Sequence, residues 1–343
     1  MAKEIKLVLV AMYEPSGDVE GELGALMKGG CFRPAGESAT RSGLEHRLYE
    51  NDDGVLVFHA GVGTPNTAVA TTALGLAAGY DLSKAYWIIL GIAGANPHNC
   101  PLGSVVWTDW AVDGDLSFEI DVRDIPPDWS TGILPLGATE PYGSGLEDTD
   151  SLEPRFEVTR LNEKLCRWAW EVSQPVDLTD TEEMAECRSG YGDFEGGRRP
   201  PEVLVGGNLT TTRFWHGDHH NEWASRWVDY WTGGEGRFFT SAMEDTGTLH
   251  ALRHLDSLRL VDFQRVLLLR SASNFTLPPP GVTVVESLFA ESGGDANYPG
   301  FRPALENSRR AVAKISAEIL RDWERWREAD LSADPGAGIV ENG

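Results

Sequence analysis

Apolar residues along this chain fall in short continuous blocks separated by polar, glycine-bearing turns. Blocks without polar alternation are the signature of strands covered on both faces. Ile5 to Met12 is the first, and Gly54 to Ala60, Ala85 to Leu90, Gly103 to Ala111, Glu202 to Gly207, Phe238 to Ala242 and Arg265 to Arg270 follow. Helical segments lie between them: a small-residue stretch from Ala68 to Ala78, Glu163 to Val172, and Thr246 to Arg253 with Leu249 and Leu252 at helical spacing. Arg302 to Trp326 reads as a closing amphipathic helix. Strands alternating with helices predict an α/β fold, a single domain with a mixed, mostly parallel central sheet flanked by helices. That domain is expected over residues 1–330, with residues 331–343 as a disordered tail. Residues 125–152, rich in Pro, Gly, Ser and Asp, read as a long loop, and residues 177–201 as an irregular excursion.

Composition narrows the function classes. The net charge of −24 opposes nucleic acid and anionic membrane surfaces, which are bound through basic patches. Cys31, Cys100, Cys166 and Cys187 show no CxxC spacing, so neither a disulfide framework nor a zinc site is expected. The N-terminal apolar run is too short and too early for a secretory signal, and no run of roughly 18 apolar residues is present. A cytoplasmic protein without membrane insertion is the expectation. A homo-oligomer is compatible with the sequence.

Four motifs sit where strands give way to turns. Met243, Glu244 and Asp245 lie between a strand and a helix. A carboxylate at that end of an α/β strand faces the crevice where ligands bind, and it can accept two hydrogen bonds from a vicinal diol. The same two acids also suit a helix N-terminus through the macrodipole. Gly61-Val62-Gly63-Thr64 precedes a helix and serves either as a ligand cradle or as a plain strand-to-helix turn. Gly91-Ile92-Ala93-Gly94 reads as a second glycine turn. Arg270-Ser271-Ala272-Ser273-Asn274 is a polar cluster at the end of a very apolar strand, where Asn274 can also start a turn. His216, His219 and His220 lie within five residues, two of them adjacent, and a surface or packing role is expected for them and no metal.

The order of these pieces resembles the nucleoside phosphorylase and nucleosidase superfamily. Several stretches resemble its purine nucleoside permease (NUP) branch: Asp113-Gly-Asp-Leu-Ser-Phe-Glu-Ile-Asp-Val-Arg-Asp-Ile-Pro126, Trp215-His-Gly217, Met243-Glu-Asp245, Arg270-Ser-Ala-Ser-Asn-Phe275 and Pro299-Gly-Phe-Arg-Pro-Ala-Leu-Glu306. The resemblance runs over about residues 5–326. It implies that Met243 and Glu244 bind ribose, that the residue at position 274 acts on purine N7, and that no cofactor or metal is needed. Ser273, Gly61, Gly63 and Thr64 are then expected at the substrate, with Phe214 or Trp215 stacked on the base.

Three departures shape the expected chemistry. Phosphorolytic relatives hold phosphate with an Arg and a Ser where this chain has Ile89 and Ile92, and neither isoleucine can donate to a dianion. Asn274 stands in place of the family's acid, so it can donate to N7 but not protonate it. Of the acidic run that follows the first strand in the methylthioadenosine nucleosidases, only Glu14 remains, which makes it the candidate for positioning water. The expectation is a purine ribonucleosidase acting on purine nucleosides, with Asn274, Glu14 and Asp245 as catalytic groups. A non-catalytic nucleoside-binding or transport-associated protein is the first alternative. A phosphorylase with a relocated phosphate site, at Arg213 or Arg237, is the second.

Overall fold

The computed structural model describes residues 2–15, 19–28, 30–35, 48–143, 156–292 and 298–331. Its centre is a ten-stranded mixed sheet. Strand β1 (Leu7–Ala11) is buried at all five positions, which is why its sequence shows no polar alternation. It pairs in parallel with β2 (Val55–His59) on one side and β3 (Tyr86–Ala95) on the other. β4 (Val105–Asp113), β5 (Val203–Thr210) and β6 (Phe238–Ala242) run parallel to one another, and β6 meets β3 antiparallel. β7 (Val266–Phe275) pairs in parallel with β3 and antiparallel with β4. The five strands β4, β5, β6, β3 and β7 therefore close into a ring, with β1 and β2 extending the sheet from β3. The mixed, mostly parallel sheet expected from the apolar blocks is the one found.

Two strands continue past their expected ends. β3 runs through Gly91-Ile-Ala-Gly94 to Ala95, so those glycines belong to a strand and not to a turn. Gly91 is needed for space: a Cβ there would lie 2.4 Å from the Arg270 Nη1 and 2.5 Å from the Glu22 Oε1. β7 likewise runs on through Ser271 to Phe275, every residue buried, with its register against β3 shifting between Ala272 and Asn274. Such a bulge re-aims side chains at a sheet's end. Two further differences are local. A helix, Glu182–Ser189 capped by Thr181, occupies part of the stretch read as irregular. The closing helix breaks at Asp322 into Phe301–Arg321 and Trp323–Glu328. The expected disordered tail lies almost wholly outside the described residues, as does the expected loop over residues 144–152.

Three helices deliver residues to one end of the ring. Helix α1 (Glu22–Met27) turns Glu22, Ala25 and Leu26 inward. Helix α2 (Thr64–Gly75) starts directly after Gly63, whose φ of 89° suits glycine. Helix α3 (Asp245–Ser257) starts directly after β6 and buries Asp245 through Leu249. Helices α2 and α3 touch backbone to backbone where Gly247 meets the Thr64 carbonyl, and a Cβ at position 247 would lie 2.2 Å from that oxygen. Gly247→Ala is therefore expected to force the two helices apart and cost about 1–3 kcal/mol. Urea denaturation checks this: the midpoint should fall with the slope unchanged.

Candidate active site

A cavity of about 310 Å³ opens where β3, β6 and β7 end. Its wall includes Met243, Glu244, Ser273, Asn274 and Phe214, brought together from three separate stretches of the chain. Beneath it lies Arg270, only 1% exposed, in the middle of β7. Its Nε donates to both oxygens of Asp245 at 3.0 and 3.1 Å. Its Nη2 donates to Asp245 Oδ1 and, at 3.1 Å, to Glu244 Oε2, and its Nη1 donates to the Ile92 carbonyl at 3.0 Å. Burial alone pulls the guanidinium's pKa down. The charges of Asp245 and Glu244 more than reverse this and leave it above its ordinary value.

Glu244 is buried at the cavity wall, and its Oε2 also accepts the Met243 amide at 3.1 Å. Burial pushes its carboxyl up to about 7. Arg270 opposes the shift, and the charges of Asp245 and Glu22 add to it. Glu244 is thus an ion-paired acid at the cavity wall, at the end of β6 where a diol-binding carboxylate is expected. Asp245 does not fit its expected catalytic place. It is fully buried behind the cavity wall, with one side bound to Arg270 and its Oδ2 accepting the Asn208 amide at 2.7 Å. Its carboxylate compensates a buried cation, which makes it structural.

Glu14 is also elsewhere. Its carboxylate accepts the backbone amides of Gly21, Leu23 and Gly24 at 3.2, 2.8 and 3.2 Å, so it caps the start of α1. Among the described residues, the acid of this region that lines the cavity is Glu22. Its Oε2 accepts the Met12 and Tyr13 amides at 2.7 and 3.0 Å, and its Oε1 accepts the Ile92 amide at 2.8 Å. Burial pushes this carboxyl up, against the pull of Arg270 and the three amides. The sequence held a signal for it: Glu22, Ala25 and Leu26 share one face of a helix, and an acid on an apolar face needs a reason.

The remaining expected residues are divided. Ser273 donates its hydroxyl to Asn274 Oδ1 at 2.9 Å, which fixes the amide's orientation beside the cavity. From the glycine loop only Val62 lines the cavity. Gly61 and Gly63 supply positive φ, and the Thr64 hydroxyl lies 2.8 Å from that of Thr212. Phe214, 53% exposed, stands at the rim, whereas Trp215 lines an adjoining recess of about 30 Å³ and stacks on His220. Ile92 lines the cavity, but Ile89 lies in the core on the other face of β3. Among the histidines, His216 is buried with Nε2 at 2.9 Å from the Ser287 hydroxyl, and burial pulls its pKa down to about 4. Among the described residues, no group of three or more His, Cys, Asp or Glu is placed to hold a metal.

The family model described as purine nucleoside permease (NUP) matches residues 4–330. A protein from Candida albicans named purine nucleoside permease is 30% identical over 275 residues, covering 78% of this chain. The chain spans 64% of that relative's own length. Among solved structures, a 5′-methylthioadenosine/S-adenosylhomocysteine nucleosidase from Colwellia psychrerythraea, in complex with adenine, superposes with a TM-score of 0.55 at 13% identity. The match covers 93% of this chain and 97% of that one. The futalosine hydrolase of Helicobacter pylori gives a TM-score of 0.53 at 15% identity, over 92% and 98% of the two chains. At such identities the likeness shows the fold alone, that of the nucleoside phosphorylases and nucleosidases. No helix among the described residues is long and apolar enough to cross a membrane.

The ion cluster makes opposite demands of its two acids. Asp245→Ala strands the Arg270 charge in the interior and is expected to cost about 3–5 kcal/mol. Glu244 keeps its proton up to about 7 in the folded chain, against an ordinary value of 4.5. Between those values the folded state binds the extra proton, so stability present at low pH is lost as the pH rises through that window. Relative to Glu244→Gln, the wild type should lose on the order of 3 kcal/mol between pH 4.5 and pH 8. Denaturant titrations of both proteins at the two pH values measure this. A constant difference between them would contradict the raised carboxyl.

Proposed function

Because the chain belongs to the purine nucleoside permease family and has the nucleosidase fold, we propose that it hydrolyses purine ribonucleosides to free base and ribose. One observation carries this reading: Glu22 and Glu244 both line the cavity, while the cation beneath it, Arg270, is already paired with Asp245 and Glu244, and Arg213 of the adjoining recess is paired with Glu119. A site with that balance repels a phosphate dianion, whose desolvation needs free charge-assisted donors. It suits a neutral nucleoside whose ribosyl group becomes positive as the glycosidic bond breaks.

The roles follow from placement. Glu244 accepts hydrogen bonds from the ribose 2′- and 3′-hydroxyls. The Asn274 amide donates to purine N7 as charge builds on the leaving base, and Ser273 holds that amide in place. Glu22 has three of about four acceptor positions filled by backbone amides, which fix its carboxylate and leave one for a water. That water adds to C1′ as the bond to the base breaks. Its proton passes to Glu22, and the base takes a proton from solvent.

The name of the Candida albicans relative favours a second reading, capture of a purine nucleoside without turnover. Purified protein incubated with inosine and with adenosine separates the two. Hydrolysis predicts free ribose at equal rates with and without phosphate, and Glu22→Gln should slow it about 100-fold or more. Binding without product supports capture. Ribose 1-phosphate formed only with phosphate would instead mean a phosphorylase.

A further inference from the structure

Asn208 lies wholly buried on β5, behind the cavity and outside its wall. Its Nδ2 donates to Asp245 Oδ2 at 2.7 Å, and its Oδ1 accepts the Thr240 hydroxyl of β6 at 2.9 Å. The same Nδ2 lies 3.3 Å from the Thr210 hydroxyl. The amide sits at a break in strand pairing: β5 shifts register against β4 and against β6 at this residue. A bulge there turns the side chain towards the start of α3. The position asks for a donor on one side and an acceptor on the other, without charge. A hydrocarbon would leave a carboxylate and a hydroxyl without their partners, and a carboxylate would face Asp245 with like charge.

The chain of contacts continues from there. Asp245 takes Arg270 Nε on both oxygens, and Arg270 Nη2 is shared between Asp245 Oδ1 and Glu244 Oε2. Most of the guanidinium's hydrogen bonds go to Asp245, so a turn of that carboxylate shifts the guanidinium relative to Glu244. We propose that Asn208 is a positioning residue: by fixing the Asp245 carboxylate it sets the Arg270 guanidinium, and through it the carboxylate that Glu244 presents to the cavity. The charged groups facing Glu244 are Arg270 from β7, Asp245 from α3 and Glu22 from α1. Of these charges Arg270 alone favours the ionised form, helped by the Met243 amide, so loosening Arg270 should make Glu244 hold its proton more tightly.

The inference rests on the nucleosidase reading only for its kinetic arm. The test is a carbon-13 NMR titration of the Glu244 side-chain carboxyl, assigned by its absence in Glu244→Gln, with kcat and KM for inosine measured alongside. In Asn208→Leu the Glu244 midpoint should rise by about one pH unit, a ten-fold change in proton affinity. The ratio kcat/KM should fall by about 100-fold. Thr240→Val releases the amide's acceptor side alone. It should move the midpoint the same way by less, and it serves if Asn208→Leu does not fold. Asn208→Asp supplies a rescue. The introduced carboxyl resists ionisation beside Asp245, so at low pH its proton provides the missing donor, and wild-type behaviour should return there and vanish as the pH rises and that proton is lost. A merely structural Asn208 would lower the melting temperature and leave the Glu244 midpoint in place. An unchanged midpoint in folded Asn208→Leu or Thr240→Val overturns the proposal. Should the wild type cleave no nucleoside, the hydrolytic reading fails while the titration still decides the role of Asn208.

Discussion

A guanidinium in the middle of a closed ring of strands is the constraint from which the rest of this site follows. A charge buried that deeply is tolerable only when it is paired and its hydrogen-bonding edges are filled. Arg270 meets that demand with Asp245 as its main counter-ion, Glu244 as its second and the Ile92 carbonyl on its remaining edge. Each partner imposes something on the chain. Asp245 must open α3 close to the end of β6, so only Met243 and Glu244 connect strand and helix. Gly91 must lack a side chain, since both the guanidinium and Glu22 occupy the space a Cβ would need. β3 must run past Leu90, because the Ile92 carbonyl is an acceptor for the guanidinium.

Charge balance then sets what the cavity can hold. Three acids (Glu22, Glu244 and Asp245) surround one cation, and two of them reach the cavity. Burial is the main cause that keeps the Glu244 carboxyl near 7, and repulsion from Asp245 and Glu22 adds to it. An excess of negative charge is unfavourable for an anionic co-substrate and favourable for a sugar acquiring positive charge. The chain's net charge of −24 adds to that field at long range, weakened by salt.

How much of this was legible depended on whether a residue's reason was local. The apolar blocks from Ile5 and from Arg265 announced buried strands because nothing but a two-sided core produces them. Met243-Glu244 and Ser273-Asn274 were legible as cavity residues because they sit where strands end. The same rule misplaced Glu14, which also follows a strand but turns back to cap the helix that carries Glu22. Asp245 was misread because adjacency to Glu244 in sequence says nothing about facing. At the first turn of a helix, neighbouring side chains diverge, and Asp245 turns to Asn208 while Glu244 turns to the cavity. Gly91 and Gly94 looked like a turn because the guanidinium that requires Gly91 lies about 180 residues further along the chain.

Asn274 poses the remaining chemical question, since an amide cannot give the leaving purine a proton. On the hydrolytic reading the burden moves to the sugar. A donor fixed by Ser273 stabilises charge on N7 as it appears, which lowers the barrier without proton transfer. Bond breaking then depends more on how well the opposite charge, developing at C1′, is accommodated. Glu22 and Glu244 are the groups available for that, and both are held from behind, one by three backbone amides and the other by Arg270. Carboxylates anchored in this way need not reorganise as the charge forms, so their stabilisation is available at the transition state without a preparatory cost. The loss of an acid at position 274 and the anchoring of two carboxylates across the cavity are thus parts of one electrostatic arrangement.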